Sequence, residues 1–520
     1  MMRTLILSAA MLAAACNNHN NVQCEISSNC DLSGGGMCLT ASTGNMWCAY
    51  PDPECPGGYR YSDQDIGDGL SGMCIGSMPI DAGIDAPPDT PDADLPAVDW
   101  ATRHGGPSDD RGLAIAVAPN GDLVMAGTFT GTMNLGGAAI SSAGGADGWV
   151  ARYSAAGTFR WSTKLGGIGA DLATGVAVDA NGDVYVVGSF VGPVDFGGGS
   201  RANARGGYLV KLASATGAYV WDRVFGSTTV DNAISVAAVD ANTVAIGGRF
   251  TGTIDFGNGN RSATPAGGFD SFVAAYSTAT GASVWSNALT TTGNDGDFGS
   301  LIAVGGDVYV TASYFGTATL GGASLVSAGQ DIFVARYTGT TGAHVWSIRQ
   351  GGSNSEYSKS MASDGTHVFV GGMFLATTNL GGTNMTTAGG FDAFVASYNI
   401  ADGTYAWSQR YGGANTESAV SLAANTNRLA VGISFDGPVT LGTQVLTPNG
   451  VDVAITRLNP TTGAPTLSAQ LSSPANDELS LAYGSSRLAG VGTFSTAIDL
   501  FGAHLTSDGG TDIASFAVDF

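Results

Sequence analysis

Seven carboxylates recur at one place in a repeating pattern: Asp110, Asp171, Asp231, Asp295, Glu356, Glu417 and Asp477. Acids gathered around one axis have the chemistry of a cation site. Seven of them at one mouth would focus negative potential and attract calcium or a cationic partner group. Neighbours about 8 Å apart would repel by roughly 0.5–2 kcal/mol. The same residues have a plainer use, since Asp in a turn accepts backbone N–H groups of its own loop. The mixture of Asp and Glu fits both readings, and the turn role is the one favoured.

Other chemistry is sparse. No Gly-rich phosphate loop ends in Lys-Ser or Lys-Thr, and no Gly-x-Ser-x-Gly elbow occurs. His19, His104, His344, His367 and His504 show no metal-ligand spacing. Asp179, Asn181 and Asp183 have the opening spacing of a calcium loop but lack its later glycine and terminal glutamate, so they read as a hairpin turn. No catalytic residue is assigned and no cofactor is expected, calcium at the acid ring excepted. The formal net charge of −23, with only three lysines, excludes a nucleic-acid surface.

What must position the acids is a repeat. Trp100, Trp161, Trp221, Trp285, Trp346 and Trp407 recur at steps of 61, 60, 64, 61 and 61 residues, and Leu467 follows 60 further on. Each acid stands ten residues beyond one of these seven positions. Each copy has a glycine turn entering a strand that carries the tryptophan, as in TGAYVW at 216–221 and TGAHVW at 341–346. A Gly-Gly pair often follows, as at Gly105-Gly106 and Gly412-Gly413. After the acid come a small-residue apolar run, a turn, a strand such as GDVYVVGSF (182–190), a glycine-rich connection and a strand such as DAFVASY. Val-, Ile-, Phe- and Tyr-rich runs between Gly, Asn and Asp turns predict four short strands per copy.

A meander of that size cannot bury both faces alone, whereas seven packed radially can. The fold class expected is all-β: a seven-bladed β-propeller of four-stranded blades over residues 99–520, preceded by a small disulfide-rich module. The phase of the repeat predicts 1+3 strand closure, with the strand near Trp100 completing the blade that ends at Phe520. No free edge then remains.

The order of glycine turn, Trp strand, Gly-Gly, acid, GDVYVVGSF and DAFVASY resembles the SBBP β-propeller repeat family of bacterial proteins. The resemblance covers roughly residues 99–520. It implies the fold and exposure outside the cytoplasm, and it transfers no catalytic set. Three departures stand out: Gly206 replaces the strand-opening Asp of the second copy, the Gly-Gly pair is lost near Thr290, and Leu467 replaces the last tryptophan. The TG-x-x-x-W segments are also similar to the tryptophan-docking segments of quinoprotein propellers, over one strand per blade.

Residues 1–16 read as a lipoprotein signal peptide: Arg3, an apolar stretch from Leu5 to Ala15, then Cys16 in a lipobox-like Leu-Ala-Ala-Ala-Cys, with ordinary cleavage after Ala15 as the alternative. Cys24, Cys30, Cys38, Cys48, Cys55 and Cys74 remain, an even set within residues 17–77 that implies three disulfides. Residues 78–98, rich in Asp, Pro and Ala without a basic residue, read as an extended linker.

The function expected is that of a lipid-anchored, monomeric binding or scaffold protein of the bacterial cell envelope. It is placed at the outer membrane, facing periplasm or exterior. It would touch the membrane through its anchor only and engage a protein or glycan with its face loops. The alternatives are a quinoprotein-like or glycan-active propeller enzyme, and an outer-membrane β-barrel suggested by the alternation of Phe516, Val518 and Phe520.

Overall fold

The computed structural model describes residues 37–40, 46–52, 59–61, 98–203, 205–226, 231–264, 268–293, 298–472 and 478–520. Cys16, Cys24, Cys30, Cys55, Cys74, Asp295 and Asp477 lie outside the described residues, as do the expected signal peptide and all of the linker but its last residue. The chain divides into two units, residues 1–94 and 95–520. In the first, strands Met37–Thr40, Met46–Pro51 and Tyr59–Tyr61 form an antiparallel sheet. Cys48 is buried there and disulfide-bonded.

The second unit is a ring of seven sheets, each built on four antiparallel strands. In blade 2 these are Leu172–Val178, Val184–Val191, Arg205–Leu212 and Tyr219–Phe225, from the axis outwards. The sheet is held by hydrogen bonds within a blade, and the ring by apolar packing between blades. Seven separate clusters of buried side chains occur, each drawing residues from two neighbouring blades. One joins Val150 and Trp161 of blade 1 to Val186 and Phe190 of blade 2. Another joins Val491 and Ile513 of blade 7 to Met125 and Trp149 of blade 1, which completes the circle. Each blade thus buries its two faces on two neighbours, which a single four-stranded meander cannot do.

Closure is of the 1+3 kind. Blade 7 takes Glu478–Tyr483, Leu488–Leu500 and Ala503–Val518 from the C-terminal end of the chain and Val98–His104 as its outer strand. That strand pairs antiparallel from Val98 opposite Val518 to His104 opposite Ile513. The strands therefore do not close into one membrane barrel. Phe516, Val518 and Phe520 alternate because they are fully buried in the core shared by blades 6 and 7.

The recurring tryptophans are the pegs between blades. A β-bulge just before each one re-aims it. The skipped residues Val220, Val284 and Val345 are left exposed as a result. Each indole N–H then donates to a backbone carbonyl in the outer turn of the next blade: Trp100 to Ala155 (3.0 Å), Trp161 to Ser214 (3.0 Å), Trp221 to Thr278 (3.0 Å), Trp285 to Gly339 (2.7 Å), Trp346 to Ile400 (3.2 Å) and Trp407 to Pro460 (2.8 Å). The ring lies flat on the glycine of that turn. At Gly342, with φ of 67°, an added Cβ would stand 2.5 Å from Trp285. Hence the TG-x-x-x-W motif: its glycine receives the tryptophan of the preceding blade, and its tryptophan is passed to the following one.

Leu467 now has a reason. It lies on the outer strand of blade 6, whose neighbour is blade 7. Blade 7 has no turn between its third and outer strands, because the ends of the propeller meet there. With no glycine turn there to receive an indole, an apolar side chain serves, and Leu467 packs against the cluster that contains Phe520.

Candidate functional site

Five of the ring acids lie within the described residues. Each is buried in its own blade junction: Asp110, Asp171, Glu356 and Glu417 are fully buried and Asp231 is 2% exposed. Among the described residues no three His, Cys, Asp or Glu side chains are grouped closely enough to hold a metal ion.

The local chain explains the burial. Where the outer strand of one blade hands over to the inner strand of the next, the second glycine of the Gly-Gly pair donates its N–H to the acid four residues on. Gly106 donates to Asp110 (2.7 Å), Gly167 to Asp171 (2.6 Å), Gly352 to Glu356 (3.0 Å) and Gly413 to Glu417 (2.8 Å). The acid's own amide donates to the carbonyl just before the third strand of the preceding blade, as Asp171 does to Ala146 (2.7 Å) and Glu417 to Phe391 (2.7 Å). One side chain thus holds the turn and one amide ties it to the previous blade. Glycine is required because the loop passes between walls. A Cβ on Gly167 would meet the Pro193 carbonyl at 2.0 Å.

The structure adds a partner that the spacing did not reveal. The Asp that opens the third strand, at 147, 331 and 392, and its counterpart Asp512 within Ala503–Val518 are also fully buried and face the same turn. A Cβ on Gly351 would lie 2.5 Å from Glu356 Oε2 and 2.6 Å from Asp331 Oδ1; one on Gly105 would lie 2.1 Å from Asp512 Oδ1 and 2.9 Å from Asp110 Oδ2. The first glycine of the pair is therefore the gap into which two carboxylates fit. A base three residues after the tryptophan engages the strand-opening Asp: Arg103 with Asp512 (2.8 Å), Lys164 with Asp147 (3.2 Å), Arg349 with Asp331 and Arg410 with Asp392. At the Leu467 copy Gln470 takes the same place, 2.6 Å from Asp452. The signal was in the sequence as W-x-x-[R/K] together with the strand-opening D. In the second copy both are gone at once, with Gly206 for the acid and Val224 for the base.

Burial raises the proton affinity of these acids. It pushes Asp110 up to about 7, against the pull of the Gly106 and Thr130 amides and with a further push from Asp512. It pushes Glu356 up to about 7, against the Gly352 amide and the Thr378 hydroxyl, with Asp331 adding to it. Burial pushes Asp171 up to about 6, against the Gly167 and Val191 amides and the charge of Lys164. Glu417 is raised by burial and by Asp392, against the Gly413 amide.

On the outer side of the seam between blades 7 and 1, His104 Nε2 lies 2.8 Å from Ser515 Oγ, beside a cavity of about 430 Å³ lined by Arg103, Asn134 and Tyr153. Ser515 is fully buried and His104 nearly so. Burial first, then Arg103, holds His104 down to about 4, so it is neutral at ordinary pH. The pair serves the packing of the closing strand.

A family model described as "Beta-propeller repeat" (SBBP) matches residues 160–189, and one described as "Outer membrane protein assembly factor BamB" (PQQ_2) matches residues 205–490, more than half of the chain. The regulatory protein FlaEY of Caulobacter vibrioides is 34% identical over 181 residues, which is 33% of this chain and 19% of that protein. The chain thus spans about a fifth of that curated relative. BamB from Moraxella catarrhalis is similar in structure at a TM-score of 0.41 and 17% identity, covering 82% of this chain and 100% of that one. A quinohemoprotein alcohol dehydrogenase from Comamonas testosteroni gives 0.39 and 12%, covering 82% and 76%. The chain carries the SBBP β-propeller repeat and belongs to the propeller family whose model is described as outer membrane protein assembly factor BamB.

Proposed function

We propose that this protein is a binding or scaffold propeller of the bacterial cell envelope, anchored through a lipid on Cys16 and presenting one face of the ring to a protein partner. The observation that carries the reading is the placement of five of the nine exposed large apolar side chains among the described residues, the other four (Val220, Val284, Val345 and Tyr405) lying on outer strands. Ile168 (72% exposed), Val191 (41%), Phe315 (41%), Val326 (64%) and Val445 (65%) all lie at the strand ends and hairpins on the side of the Gly-Gly turns. Exposed apolar groups on a connection-rich face are what a partner covers. The described acids bind their own backbone turns, which fits a repeat spent on architecture with the face left free to recognise. Membership of a family described by an outer-membrane assembly factor supports a protein partner in the envelope. The cysteine-rich module, with three disulfides over Cys24 to Cys74, and the acidic linker would set the propeller off the membrane.

A photo-crosslinking residue at Val326 or Phe315 should capture the same envelope protein in living cells, and one at Asn120 on the opposite face should not. Equal capture from both faces, or none from either, removes the reading. The anchor is tested apart from it. Cys16→Ser should move the protein out of the membrane fraction and abolish the lipid mass on the mature N-terminus. Retention in the membrane fraction with an unchanged mature mass would show another means of attachment.

A further inference from the structure

We infer that at three blade junctions the two facing carboxyl groups, Asp110 with Asp512, Glu356 with Asp331 and Glu417 with Asp392, hold one proton between them, so that the ring tightens in mild acid and loosens in mild base. All six side chains are fully buried. In each acid one oxygen is satisfied: by the Gly-Gly turn for Asp110, Glu356 and Glu417, and by an arginine together with a backbone amide for Asp512, Asp331 and Asp392. The other oxygen of each has no well-formed hydrogen bond: Asp110 Oδ1, Asp512 Oδ1, Glu356 Oε1, Asp331 Oδ1, Glu417 Oε1 and Asp392 Oδ1; the Thr130 amide near Asp110 and the Thr378 hydroxyl near Glu356 pull against the proton without completing one. Leaving a buried acceptor unsatisfied is costly, and two anions facing each other add repulsion. One proton on the ring acid removes a charge and supplies a donor for the oxygen across the gap.

The charges favour a proton over a metal ion. Each junction sets two carboxylates against one guanidinium, from Arg103, Arg349 or Arg410. One proton makes the set neutral. A divalent cation would sit beside that guanidinium with only two carboxylates, where calcium takes six to eight oxygens. Other charges near these sites are Asp109 at Asp110, Asp508 at Arg103 and Asp436 at Glu417; all three are acids, and they push the same way. His104 nearby is neutral. The fourth junction is the internal control. Asp171 uses both oxygens, with Gly167 at 2.6 Å and Val191 at 3.2 Å, and only Asp147 Oδ1 is left over. Its proton affinity rises to about 6, against about 7 for Asp110 and Glu356. The second blade, with Gly206 and Val224, has neither acid nor base at the matching positions.

The sign follows from linkage. A carboxyl whose proton affinity is higher folded than unfolded keeps its proton in the native state between about pH 4 and its folded value, so stability is highest below that window and falls as pH rises through about 7. The test is the melting temperature of the full chain in chelator from about pH 5 to about pH 9. A fall of about 5 °C or more across that range is expected. Glu356→Gln, whose amide keeps a donor across the gap, should flatten part of the slope and melt no lower than the parent at the basic end. Asp171→Asn should leave most of the slope. Should the variants fail to fold, the parent's infrared spectrum still decides: a protonated carboxyl band at neutral pH that disappears in base is expected. A flat melting profile, a slope untouched by Glu356→Gln, or absence of that band overturns the inference. So does calcium restoring the melting temperature in base, since the pair would then hold a cation.

Discussion

A chain trimmed to begin at Asp109 will lose on the order of 5 kcal/mol or more of stability, or aggregate, whereas one beginning at Leu95 will melt like the parent. The shorter chain lacks Val98–His104 and so opens the edge of Ala503–Val518 along six paired positions. It also removes Arg103 from the buried Asp512, and orphaning a buried charge costs about 3–5 kcal/mol by itself. The Trp100 peg on Gly157 and the His104 contact with Ser515 go with it. Thermal melting with light scattering checks the result. A trimmed protein that melts with the parent would mean that the ring does not depend on this strand.

Breaking one peg should be nearly as damaging. Trp285→Ala removes an indole that fills the interface of blades 3 and 4 and donates to Gly339, and a loss of about 3–5 kcal/mol is expected. Gly342→Ala acts from the other side. Its Cβ would stand 2.5 Å from the same ring at a backbone φ of 67°, so overpacking and strain together should cost about 2–4 kcal/mol. The two changes should be strongly non-additive, because the alanine Cβ meets no indole once Trp285 is gone. Leu467→Trp should bring no gain, since blade 7 offers no glycine turn to receive it. Additive losses in a double-mutant cycle, or stabilisation by Leu467→Trp, would refute the peg-and-shelf account.

The propeller was legible because tryptophan is rare and its period is long. Six tryptophans and a leucine at near-constant steps admit few architectures, and the position of Phe520 in the last copy already implied how the ends clasp. The junction was only half legible. Period shows that Asp110, Asp171 and Glu356 are equivalent, but it does not show where they point, and seven equivalent acids suggest a ring whether they face the axis or their own turn. Their partners are hidden by separation along the chain: Asp147 precedes Asp171 by 24 residues, whereas Asp512 follows Asp110 by 402. The paired loss at Gly206 and Val224 was the available clue. Leu467 could be read only as a departure, because its cause is a turn that blade 7 lacks.

The clasp also sets an order of events in time. A chain made from its N-terminus produces Val98–His104 before any other propeller strand, yet its partner, Ala503–Val518, is the last. Six blades can be completed in sequence, each docking on the one before, while this first strand still has no mate. The cost of joining such distant ends grows only slowly with the length between them, so the hazard is duration more than energy. Throughout that interval a strand bearing Trp100 presents open hydrogen-bonding groups to any passing edge, including that of another copy. Whatever shields the nascent N-terminal segment must act early and let go late.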